Sequence, residues 1–159
     1  MRAFARLGSA ALISSARTAI AATASFLVAR QFGMPEAYWA PLITLVIMQS
    51  TLGATLKISG ERFAGTVLGA TAGGLLAEWF SMNWWVFAIG VFVLGIICAL
   101  LRLENSFRFA GITLAIVLLI PHVARPWIVA LHRSIEVTIG IVVGLGMTVI
   151  WREPEGSVM

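Results

Sequence analysis

Six apolar runs, at about residues 10–32, 38–52, 63–80, 84–101, 109–122 and 127–151, fill most of this chain and leave it few ways to fold. A helix crossing a bilayer needs about 20 mainly apolar residues. The first, third, fourth and sixth runs satisfy this, whereas the second and fifth are short and carry Pro41 and Pro121. A membrane barrel would alternate apolar and polar residues over about ten positions, and "ITLVIM" and "AIVLLI" do not. Charge is scarce as well: 60% of residues are hydrophobic and 11% charged, with a mean hydropathy of +0.97. A soluble domain carries roughly 25% charged residues, so these apolar faces must meet lipid. The expectation is an all-α integral membrane protein, one six-helix transmembrane domain over 1–159 with no soluble domain.

Basic residues orient the spans, because cytoplasmic ends collect Lys and Arg. With the N-terminus inside, Arg2, Arg6, Arg17, Lys57, Arg62, Arg102, Arg108 and Arg152 fall on the inner side. Arg30, Arg125 and Arg133 fall outside. Tyr38, Trp39, Trp79, Trp84, Trp85 and Trp127 then mark outer ends and Trp151 an inner one, so both termini are expected in the cytoplasm. The basic start and the Ala-Thr-Ala near residue 22 imitate a cleavable leader, but Arg17 interrupts its apolar stretch, and a retained first span is preferred.

The chain echoes itself. Arg62, Gly69 and Gly73 return 71 residues later as Arg133, Gly140 and Gly144, and "WAPLIT" from Trp39 returns as "FAGIT" from Phe109 with a one-residue slip. Three spans separate the copies, and an odd number inverts the second, which predicts a 3+3 inverted repeat of the kind that builds many transporters. Arg62, Gly65, Thr66, Gly69 and Gly73 are spaced by three or four and share a helix face. The glycines, with Gly140 and Gly144, are candidate close-packing positions.

Charges inside spans tend to face cavities or partners. Arg62 is therefore read as an anion-binding group, against a side chain that merely reaches the interface. Arg17 is open to both readings. Arg133 and Glu136 are three apart on one face, so they form a local pair or, alternatively, Glu136 is a protonatable coupling group. Gln49 is either a polar residue satisfied between helices or a ligand contact. His122 and His132 are read as loop residues. Cys98 lies in the apolar "FVLGIICALL" as a lone thiol without disulfide or metal chemistry. The net charge of +4 is dispersed, which argues against nucleic acid. One lysine, no aspartate and no phosphate-binding loop leave no nucleotide machinery. No cofactor, metal site or enzymatic triad is expected.

The stretch "YWAPLITLVIMQSTLGATLKISGERFAGTVLGA", residues 38–70, resembles the core of the fusaric acid resistance and aromatic acid exporter (FUSC) superfamily. The shared elements are Trp-Ala opening a span, then "TLGATL", then R-x-x-G-T-x-x-G. It is similar also to plant aluminium-activated malate transporters. "ARTAIAATASFLVARQFG" and "HRSIEVTIGIVVG" extend the resemblance over most of the chain. By resemblance, Trp39, Thr55, Arg62, Gly65 and Thr66 occupy motif positions. The family implies an exporter of organic anions, above all aromatic carboxylates, in the bacterial inner membrane. Substrate contacts are then expected from Arg17, Trp39, Gln49, Arg62, Thr66 and Arg133. Members with doubled units imply a homodimer or larger, and an accessory efflux subunit is left open. A passive anion channel and a non-transporting assembly subunit are the alternatives.

Overall fold

The computed structural model describes residues 2–48, 52–80, 83–121 and 124–151, with side chains from residue 11 onward and Glu104 excepted. Its regular elements are α1 (Arg2–Gln31), α2 (Trp39–Ile47), α3 (Leu52–Trp79), α4 (Trp84–Leu100), a 3-10 turn (Glu104–Ser106), α5 (Phe107–Leu119) and α6 (Pro126–Ile150). Among the described residues there is no strand.

Local chemistry sets several of these bounds. α1 ends where Gly33 adopts φ +68°, with Met34 N–H donating to Ala29 C=O at 3.2 Å, a left-handed closure that suits glycine. The same closure ends α4, where Leu103 N–H donates to Cys98 C=O at 2.8 Å across Arg102 at φ 56°. Asn83 caps α4 by accepting from Trp85 N–H at 3.2 Å. Pro41 and Pro126 sit in first turns, where a missing N–H costs nothing. Pro121 forces Ile120 into extended backbone and so ends α5 at Leu119, short of residue 122.

The largest departure from expectation is α3. It begins at Leu52 rather than near 63, because Lys57, Glu61 and Arg62 lower hydropathy without opposing helix formation. By length and composition, Ala11–Gln31 and Pro126–Ile150 can cross a membrane. α4 and α5 are apolar but shorter, at 17 and 13 residues.

The chain forms two compact units. One comprises Met1–Ile58 with Thr138–Met159; the other is Ser59–Val137. In the first, α1 packs on α2 around Ala29, Ala37 and Ala40, with Phe26, Met34 and Ile139 against them. The second half of α6 lies on α2 through its glycines. A Cβ at Gly140 would come within 2.7 Å of Ala40 O, and one at Gly144 within 2.8 Å of Ile47 Cδ1. Thr44 Oγ1 donates at this seam and lies 3.0 Å from Ala40 O and 3.2 Å from Gly140 O.

In the second unit, α3 lies on α5 by the same device. A Cβ at Gly69 would fall on the Ala110 carbonyl, and one at Gly73 would lie 2.9 Å from Val117 Cβ. In both units the contact numbers rise together along the two helices, so each pair is parallel. Glycines correspond at an offset of 71 (140 − 69) and their partners at 70 (110 − 40), which is the slip of the sequence echo. Leu94, Cys98, Ala110 and Leu114 form the core beside this seam. The start of α6 runs antiparallel to α3, with Trp127 against Gly74 and Arg133 within electrostatic reach of Arg62.

Candidate anion site

Because α3 starts at Leu52, Arg62 stands ten residues, about 15 Å, inside the helix. Its guanidinium lies 4.6 Å from the centroid of the Phe109 ring on α5. Gly65, one turn on, makes that approach possible, because a Cβ there would fall on the Ser106 carbonyl and lie 2.7 Å from Phe109 Cβ. Arg62 has no carboxylate partner among the described residues, and its buried Nε has no hydrogen-bond partner.

Arg133 and Glu136 are both buried and paired, Nη1 to Oε2 at 3.2 Å. An ion pair withdrawn from water holds only with close geometry, and removing one partner is far costlier than the pair is stabilising. Arg133 also repels Arg62. That closeness corrects the assignment of the two residues to opposite membrane faces: both lie within their helices. His132, expected in a loop, likewise lies within α6.

The other candidates separate. Thr66 Oγ1 donates to Arg62 C=O at 2.8 Å, so this buried hydroxyl is turned onto its own helix. Arg17 is buried in the first unit and donates through Nη1 to Trp151 C=O at 3.1 Å, just past the end of α6. A cation there complements the helix dipole. Trp39, at the start of α2, donates through Nε1 to Glu36 Oε2 at 3.0 Å. Gln49 lies outside the described residues. Sequence reasoning missed the Phe109 ring and two serines, Ser59 and Ser106, whose hydroxyls are buried without hydrogen-bond partners. Ser59 was findable as the residue one turn before Arg62. Phe109 and Ser106 were not, since only the packing of α5 on α3 brings them there.

Fold and site together define an all-helical, lipid-compatible protein that keeps basic side chains inside helices closed by glycine seams. It belongs to the fusaric acid resistance protein-like family, whose model matches residues 20–147. The chain is 33% identical over 150 residues to the inner membrane protein YeeA of Escherichia coli K12, covering 89% of this chain and 41% of YeeA. It is 31% identical over 138 residues to YdhK of the same strain, which is named an uncharacterized transporter, covering 80% of this chain and 21% of YdhK. The YdhK of Salmonella typhimurium is 29% identical over 138 residues. The chain thus spans about two fifths of YeeA and one fifth of YdhK. No solved structure matches it.

Proposed function

We propose that this chain is the membrane-embedded unit of an exporter for organic anions, aromatic carboxylates above all, in the bacterial inner membrane. The observation that carries this reading is the charge imbalance between α3 and α6. Two arginines stand within electrostatic reach, Glu136 pairs with Arg133, and Arg62 lies on an aromatic ring instead of an acid. Carrying an arginine into a span costs about 2.5–3.5 kcal/mol on insertion scales, and a passing carboxylate would offset that cost. Arg62 also presents a planar donor array suited to a carboxylate. An open apolar groove of about 170 Å³ between α3 and α6 is compatible with an aromatic cargo. Val67, Ala70 and Trp127 lie on its wall.

The reading includes six spans, both termini in the cytoplasm, the two glycine-sealed helix pairs as halves of an inverted repeat, and a homo-oligomer. The relatives' names, an inner membrane protein and a transporter, support it. A passive channel differs only in lacking coupling, for which Glu136 is the candidate group. Flux of a carboxylate panel, benzoate included, into vesicles holding only the purified protein tests the proposal. Benzoate flux above empty vesicles is the expected result; no flux of any carboxylate would leave the non-transporting assembly subunit.

A further inference from the structure

Among the buried polar atoms of the second unit without a hydrogen-bond partner are Ser59 Oγ, Arg62 Nε and Ser106 Oγ. Ser59 and Ser106 are almost wholly buried, at 4% and 0% exposure. A buried hydroxyl left without a partner is destabilising, and native proteins tolerate few such groups. Their placement is not scattered. Ser59 and Arg62 are one turn apart on one face of α3. Ser106 is the residue before α5, and its carbonyl packs on Gly65, one turn after Arg62.

The surroundings favour a negative charge. Ser106 stands at the N-cap position yet its side chain caps nothing, and the first turn of α5 holds no acid. Ser106 closes the 3-10 turn that leads directly into α5, a 13-residue helix whose N-terminal end carries the positive pole of its dipole. Glu61 and Glu104 are the acids nearby in sequence, and Glu61 accepts a hydrogen bond from Asn105 Nδ2 at 2.9 Å on the exposed side. The Phe109 ring takes a position over the guanidinium of Arg62. A guanidinium stacked on a ring keeps its in-plane N–H edge available, and Nε–H with one Nη–H matches the two oxygens of a carboxylate.

We propose that Ser59, Arg62 and Ser106 form a cradle for one carboxylate at the N-terminal end of α5. The guanidinium edge grips both oxygens and the two hydroxyls donate to their remaining lone pairs. This deepens the transport reading and rests on its choice of Arg62 as the anion-binding group.

The test uses the full chain purified in dodecyl maltoside, with benzoate as probe and neutral benzamide as control. Benzoate is expected to bind and benzamide not. Ser59→Ala and Ser106→Ala should each weaken benzoate by about ten-fold, the effect of one hydrogen bond to a charged group. Without benzoate, each variant should melt at the wild-type temperature or above, because an unsatisfied polar group has been removed. Ser106→Cys, nearly the same size with a weak donor, should weaken benzoate in the same direction. Unchanged benzoate affinity in both alanine variants, or a lowered melting temperature with unchanged affinity, overturns the cradle. If Arg62→Gln then still abolishes binding, the transport reading stands without it. Wild-type protein that neither binds nor moves any carboxylate overturns both. Phosphatidylglycerol that binds wild type but not Ser106→Ala, and that benzoate cannot displace, assigns the cradle to a lipid phosphate and overturns the carboxylate.

Discussion

At the scale of single residues, the two arginines should fail in different ways. Among the described residues Arg62 touches an aromatic ring and no acid, so its removal strands no described carboxylate. Arg62→Ala is expected to lower anion flux ten-fold or more, while losing only the cation–π contribution, about 0.5–2 kcal/mol of stability. Arg62→Lys keeps the charge but neither the planar stack nor the two-point grip, and should retain part of the flux. An active but strongly destabilised Arg62→Ala protein would mean that the residue anchors the helix. Arg133 is the opposite case, since its loss takes away the guanidinium 3.2 Å from buried Glu136. Arg133→Met should destabilise by about 3–5 kcal/mol, and adding Glu136→Leu should recover much of that. Thermal or denaturant melting of both single variants and the double decides it; additive losses would show that the two side chains do not act as a pair.

At the scale of helices, the glycines divide into two groups that sequence spacing could not separate. Gly69 and Gly140 leave no room for a Cβ beside the Ala110 and Ala40 carbonyls. Gly60, Gly111 and Gly146 have nothing within 4 Å of that position. Gly69→Ala or Gly140→Ala should therefore cost about 1–3 kcal/mol through overpacking. Gly60→Ala, Gly111→Ala and Gly146→Ala should be neutral or stabilising by about 0.5–1 kcal/mol, because alanine loses less backbone freedom in a helix. Melting temperatures of the five variants check this, and a uniform response would contradict the seams. The glycine spacing was legible because periodicity needs no tertiary information. The partner helix was not, since the choice of α5 for α3 and α2 for α6 depends on long-range packing. The start of α3 was misread because hydropathy registers Lys57, Glu61 and Arg62 as a break, while the backbone continues through all three. With about three turns of helix restored before it, Arg62 lies within α3, and the packing of α5 brings Phe109 beside it.

At the scale of the whole protein, the proposed transport turns on how many copies make one path. The chain covers 41% of YeeA and 21% of YdhK, so those relatives carry far more polypeptide than one such unit. Many large side chains, including Phe92, Leu100 and Leu131, are exposed on this single copy. Lipid covers such surfaces readily, so apolar exposure does not by itself demand a partner. Glycine seams could have supplied a subunit interface, but Gly69, Gly73, Gly140 and Gly144 are consumed within the chain. A dimer must therefore use other faces, built from larger side chains, and close-packed glycine pairing between copies is not expected. The prediction is a homodimer or larger in native lipid, one whose assembly survives Gly69→Ala and Gly140→Ala in whatever fraction of those variants folds. Mass measurement in lipid nanodiscs, at high protein concentration and for wild type and both variants, reads the copy number directly. Monomer alone in the wild type would remove the oligomer from the proposed function. Oligomers lost only in the glycine variants, with the fold intact by circular dichroism, would instead place the seams between copies.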